Sequence, residues 1–169
     1  MAIHGAKLPL TEQTISASIG YPLSDRLTLL GGVGALLGGR LGTASFSPGE
    51  SVFAGASYRA LAPSGAVPLV AVAVTAAAAH ASVDGDSFTS TDLKLAVTAA
   101  WPLAGAVAPY LSLAAFGGPI FYRGDIGGDR YHYQALGGVA AALPGGFDLF
   151  VEGSPVGARV LSGGAGLTW

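Results

Sequence analysis

Asp92-Leu93-Lys94-Leu95-Ala96-Val97-Thr98-Ala99-Ala100-Trp101 changes character at every residue. Asp92, Lys94, Ala96, Thr98 and Ala100 share one parity. Leu93, Leu95, Val97, Ala99 and Trp101 share the other. A period of two marks a β-strand whose faces meet two different surroundings. The pattern recurs on either side. In 107–116, Ala108, Tyr110, Ser112 and Ala114 interleave with Val107, Leu111 and Leu113. In 14–21, Thr14, Ser16, Ser18 and Gly20 interleave with Ile15, Ala17, Ile19 and Tyr21. In 147–153, Asp148 and Glu152 lie opposite Phe147, Leu149 and Val151. Small residues blur the alternation in 27–38 and 67–80.

Between these segments the turn chemistry has a rhythm. Pro22–Arg26, Ala62–Ala66, Pro102–Ala106 and Pro144–Gly146 recur about every 40 residues, and Pro and Gly clusters of this kind mark turns. Gly-, Ser- and Asp-rich stretches at 39–49, 82–89, 123–129 and 154–157 alternate with them. The remaining segments are about 10–14 residues long, the length of a tilted membrane strand. A helical span needs about 20 apolar residues in a row. The uncharged stretches 60–83 and 95–122 are both interrupted by Pro and Gly.

Composition fits a barrel in lipid. Of 169 residues 11% are charged, against about 25% in an ordinary soluble domain. Mean hydropathy is +0.56. The formal charge of −2, with eight Lys and Arg, leaves no electrostatic footprint for nucleic acid. The chain has no Cys, which excludes disulfide staples and thiolate metal sites. A soluble sandwich also has one apolar face. It would carry more charge at its turns, and its polar face would hold more than Ala, Gly, Ser and Thr. Tyr21, Trp101, Tyr131, Tyr133 and Trp169 sit near segment ends, where interfacial anchors belong.

The terminal stretch Ala158-Arg159-Val160-Leu161-Ser162-Gly163-Gly164-Ala165-Gly166-Leu167-Thr168-Trp169 alternates and ends on an aromatic. It resembles the closing strand of bacterial outer-membrane β-barrels. Glu152-Gly153-Ser154-Pro155-Val156-Gly157 is similar to the last outer loop of small barrels of the OmpA-like class. The resemblance implies a bacterial outer-membrane location in a mature form without signal peptide. It also implies recognition of Trp169 by the barrel-assembly machinery. Gly163 and Ala165 depart from the bulky apolar residues usual there.

The expected fold is therefore a single domain over 1–169, a closed antiparallel up-and-down transmembrane β-barrel. Nine strands read clearly: 12–21, 27–38, 50–61, 67–80, 90–101, 107–122, 130–142, 147–153 and 158–169. Single-chain bacterial barrels have an even count. A tenth strand over Ala2–Leu8 restores it, and eight is the alternative. The Pro turns would face the periplasm and the longer polar stretches would form the outer loops.

Motifs for other chemistry fail locally. Gly32-Val33-Gly34-Ala35-Leu36-Leu37-Gly38 has a dinucleotide-like spacing, but Gly38-Gly39-Arg40 breaks the helix such a motif requires. Asp125–Arg130 lacks the acidic positions of a calcium loop. His80 and His132 fall near the outer rim without a nucleophile motif, so a rim enzyme acting on lipid is the least favoured reading. No cofactor or metal is expected.

The enclosed charges are the functional candidates. Parity puts Arg59, Lys94, Asp148 and Glu152 on the polar face, with Asp92 near the outer mouth. A charge inside a narrow barrel pairs or reaches water. Their heights suggest two stacked pairs, Arg59 with Asp148 and Lys94 with Glu152. The expectation is a non-enzymatic, porin-like narrow pore or gated channel with a charged lumen plug. The alternative is a structural anchor or a subunit of an envelope assembly, in contact with the bilayer and with other envelope proteins. If odd positions of 92–101 face lipid, Leu95→Arg costs about 2–4 kcal/mol at the bilayer midplane. Folding yield into vesicles measures this, and undiminished yield would overturn either the parity assignment or the membrane itself.

Overall fold

The computed structural model describes residues 2, 3, 6, 7, 9–103, 106–128 and 132–167. Among them there is no helix. The strands are β1 (Ala2–Ile3), β2 (Ala6–Lys7), β3 (Leu10–Pro22), β4 (Leu27–Leu41), β5 (Ala44–Phe46), β6 (Gly49–Leu61) and β7 (Leu69–Val83). They continue as β8 (Asp86–Ala100), β9 (Val107–Gly117), β10 (Pro119–Tyr122), β11 (Asp125–Gly128), β12 (Tyr133–Ala142), β13 (Phe147–Gly157) and β14 (Val160–Leu167). All belong to one sheet.

The nine segments expected from alternation are present, as a meander in which each pairs with the next. One of them, 107–122, is interrupted, and short strands extend the line beside two others. Ser47 and Pro48 separate β5 from β6, yet the Ser47 N–H still donates to the Ser82 carbonyl, so the line of pairing continues. Gly118 separates β9 from β10. A Cβ there would stand 2.0 Å from the Thr91 carbonyl oxygen, so only glycine permits that approach. β11 ends at Gly128 and β12 begins at Tyr133, with 129–131 outside the described residues. The expected tenth strand over 2–8 does not form as one element. That segment holds two two-residue strands, β1 on β2, with Ala2 opposite Gly128 of β11.

The expected outer loops are corrected as well. Strand structure runs through most of 39–49, 82–89 and 123–129, and the reversals are two-residue turns at 42–43, 84–85 and 123–124. Asp84 and Gly85 have φ of 50° and 89°, and Arg123 and Gly124 have 54° and 81°. Positive φ at both central residues is the hairpin geometry that matches strand twist. Residues 154–157 lie inside β13, and the last reversal falls at 158–159. Three of the four Pro-containing turns stand where the sequence places them; at the remaining one Leu103 and Val107 are hydrogen-bonded, and 104 and 105 lie outside the described residues. At the first, the Ser24 hydroxyl accepts from the N–H groups of Arg26 and Leu27.

Contacts divide the chain into two compact units. The first comprises Met1–Ser57, Val74–Lys94 and Phe116–His132; the second comprises Tyr58–Ala73, Leu95–Ala115 and Tyr133–Trp169. In the first, β3 pairs with β4 so that Ile15, Ala17, Ile19 and Tyr21 face Ala35, Val33, Gly31 and Leu29. Thr14, Ser16 and Ser18 share the other face with Leu36, Gly34 and Gly32. In the second, Val139 lies between Pro109 and Val151 on one face, and Gly138 lies between Tyr110 and Glu152 on the other.

The first unit holds the best-buried cluster: Leu36, Leu41, Phe46, Ala81, Val83, Phe88, Ile120 and Tyr122. Val83 is 0% exposed and Phe88 2%. Phe46 meets Phe88 edge-on, with ring centroids 4.9 Å apart. β4 and β7 flank β5 and β6, the two pieces of one interrupted line, so the cluster gathers on the buried, inner face of β4, β5, β7, β8 and β10. Tyr122 stands opposite Phe88 on this inner face, while Phe121 stands opposite Ile126 on the outer one. Phe88→Ala should cost about 3–5 kcal/mol, the usual range for a buried Phe. Phe121→Ala should cost under about 1 kcal/mol, as at a site outside the core. Urea unfolding of the folded chain compares the two.

Candidate functional site

Four strands of the second unit meet on one rung. Tyr110 of β9 stands opposite Gly138 of β12, Gly138 opposite Glu152 of β13, and Glu152 opposite Ser162 of β14. The Tyr110 hydroxyl donates to Glu152 Oε2 at 2.7 Å, and the Ser162 hydroxyl donates to Oε1 at 2.7 Å. To reach Glu152 the phenol crosses the whole of β12, whose neighbours on either side are about 4.8 Å away. Gly138 leaves that path open: a Cβ there would lie 2.6 Å from Tyr110 Cζ. One strand further along, Thr98 of β8 donates its hydroxyl to Ser112 of β9 at 2.9 Å.

The rung revises the expected charge pairs. Glu152 lies on the polar face as parity requires, but the partners present are two hydroxyls rather than an ammonium. Hydroxyls on neighbouring strands arrive at a fixed register, whereas a lysine must give up more side-chain freedom to be held. Asp148 lies opposite Gly166 and turns its carboxylate over that glycine, 2.9 Å from where a Cβ would stand. Arg59 sits half-buried on β6, and no ion pair joins it to Asp148 among the described residues. In the first unit, Asp92 and Lys94 share one face of β8. The Gly117 backbone donates to the Asp92 carboxylate, whose Oδ1 is buried without a hydrogen bond.

The aromatic candidates divide in the same way. Tyr21 and Tyr133 are exposed, and Trp101 is half-buried just beyond β8, its backbone N–H donating to the Pro109 carbonyl at 2.9 Å. Tyr131 and Trp169 lie outside the described residues.

The two histidines and the acidic residues near the hairpin turns are engaged in local contacts. His80 Nδ1 is 3.0 Å from the Thr89 hydroxyl, and His132 Nδ1 is 3.3 Å from the Phe116 carbonyl. Asp84 accepts from the Ser45 N–H, and Asp86 pairs with Arg123, whose guanidinium also lies over the Tyr122 ring. The described residues contain no cluster of His and acidic residues fit for a metal.

Sequence reasoning missed the Tyr110–Glu152–Ser162 set and the apolar cluster of the first unit. Alternation places Tyr110 on the right face, but only the register shows that it shares a rung with Glu152. Comparison of the chain with protein-family models, with curated proteins and with solved structures finds no match.

Tyr110→Phe should destabilise the fold by about 1.5–3 kcal/mol, the scale of a hydrogen bond to a charged group. A double-mutant cycle with Glu152→Ala should show coupling of at least about 0.5 kcal/mol. Strict additivity in denaturant titrations would separate the two residues.

Proposed function

We propose that this chain is a β-barrel protein of a bacterial outer membrane that stands closed, a structural component of the envelope. The observation that carries the reading is the exposed apolar face. In the first unit Ile15, Ile19, Val33 and Ile126 are all at least 60% exposed. In the second, Leu111, Leu113 and Val151 are exposed, and Leu161 reaches 85%. Their cross-strand partners on the same face are apolar or glycine. A soluble monomer rarely exposes a contiguous apolar patch beyond a few hundred Å². In a bilayer the same surface is already in its preferred solvent.

Closure is supported by what fills the opposite face. The first unit carries the packed cluster around Phe88, and the second carries aromatic rings laid over glycines. Small barrels have interiors only wide enough for side chains, and open aqueous channels belong to much larger ones. The barrel-assembly machinery and neighbouring envelope proteins are the partners this reading requires. The second reading, a narrow or gated pore, is favoured by the polar rung of Glu152 and by Arg59 and Asp148 on the same unit.

Planar-bilayer recordings separate the two. The wild-type chain should show no standing conductance. Phe88→Ala combined with Val83→Ala should introduce measurable current steps by thinning the cluster. Steady ion-selective conductance of the wild type would favour the pore.

A further inference from the structure

We propose that the first unit leaves the lipid at the rung of Glu50, His80 and Thr89. Bilayer headgroups meet this rung, and the strand ends beyond it stand in water as a small cap with an apolar core of its own. The proposal deepens the membrane reading and rests on it.

The observation is that both faces of the same strands change character at one level. A Cβ on Gly49 would lie 2.7 Å from the Ala81 methyl, and one on Gly55 2.6 Å from Thr75 Cγ2. β6 and β7 therefore run antiparallel, with Glu50 opposite His80. His80 Nδ1 is 3.0 Å from the Thr89 hydroxyl of β8, which completes the rung. Toward the Pro-containing turns the outward residues are Ile15, Val33, Val52, Val74, Ala76 and Leu93, all exposed. Toward the 42–43 and 84–85 turns they are Gln13, Arg40, Ser45, Ser82 and Ser87. The inward face reverses with them. Ser16, Ser18, Ser51, Asp92 and Lys94 face inward on the first side of the rung. Leu36, Leu41, Phe46, Val83 and Phe88 face inward, buried, on the other.

Apolar outside with polar and small residues inside is the pattern of a barrel strand in lipid. Polar outside with a packed apolar face inside is the pattern of an antiparallel sheet in water. One solvent cannot favour both halves of β7 and β8, so the solvent changes where the pattern does. The groups at the change fit headgroups. Glu50 and His80 are exposed on the outward face, and an outward charge costs far less near the interface than at the bilayer midplane. Thr91 lies one rung to the lipid side, and its hydroxyl donates to the Pro119 carbonyl, which satisfies it without water. On β10 and β11 the outward Phe121 and Ile126 remain apolar, 42% and 70% exposed, so the boundary there runs closer to the 123–124 turn.

Depth-resolved quenching of the full chain in phosphatidylethanolamine–phosphatidylglycerol vesicles is the test, with circular dichroism reporting folding. Because the chain has no Cys, a bimane label can be placed on a single cysteine at each outward position of β7 in turn, 74, 76, 78, 80 and 82. A phospholipid nitroxide midway along the acyl chain should quench labels at 74 and 76 strongly and those at 80 and 82 weakly. Aqueous iodide should quench in the reverse order, with the crossover between 78 and 80. Charge placement gives a second check: Ala76→Arg should lower the folded yield severalfold, and Ser82→Arg should leave it unchanged. Uniform acyl-chain quenching from 74 to 82 in the folded chain overturns the proposal. So does a Ser82→Arg yield as low as that of Ala76→Arg. Flotation with the same vesicles tests the membrane reading separately. A chain that floats with label 82 as deep as label 76 contradicts only the boundary, and a chain that does not float removes both.

Discussion

The two-residue period of a hydrogen-bonded strand governs everything else in this chain. Once Leu93, Leu95 and Val97 take one side of β8, Asp92, Lys94 and Thr98 must take the other, and pairing carries that division to the neighbouring strands. A single sheet without helices has nothing to lay over either face. One face is partly satisfied in the first unit, where the Phe88 cluster is buried. The other stays outside, and its apolar residues need a solvent that accepts them. In water, each 100 Å² of exposed apolar surface forgoes about 2.5 kcal/mol of burial. Under the proposed membrane reading, lipid removes that conflict.

The inward face explains much of the glycine content. Gly32, Gly138 and Gly164 lie beneath the rings of Phe53, Tyr110 and Phe150, where a Cβ would come within 2.7 Å of the ring. Each pairing lets a large side chain lie flat across a strand. Such contacts fix register, because a one-residue slip would put a side chain under the ring and move the apolar set to the wrong face. Tyr110 adds a hydrogen bond to Glu152, so the same ring sets both packing and charge satisfaction.

The strands, their faces and the Pro-containing turns were legible because they depend on local pattern. Polar composition at 39–49 and 82–89 misled because it was read as loop. Asp84-Gly85 is itself a two-residue hairpin signal, and the polar residues around it belong to strands that extend to the turn. Inside those stretches Leu41, Phe46, Val83 and Phe88 form the buried cluster, and each looks isolated when read along the chain. The Glu152 set was illegible for a different reason. Its members lie on three strands, at 110, 152 and 162, and only a register that places Gly138 between Tyr110 and Glu152 joins them. Parity gave Glu152 its face, but charge and height along the strand chose Lys94 as its partner, and neither shows which strands share a rung.

The central claim is that the exposed apolar face meets lipid. The absence of cysteine allows one spin label at a time along β8. In bilayers, collision rates with dissolved oxygen and with a water-soluble nickel chelate should alternate from residue to residue between 92 and 98. Oxygen access should peak at 93, 95 and 97 and fall at 94 and 96. Loss of the alternation, or higher chelate access at the odd positions than at the even ones, would contradict the account.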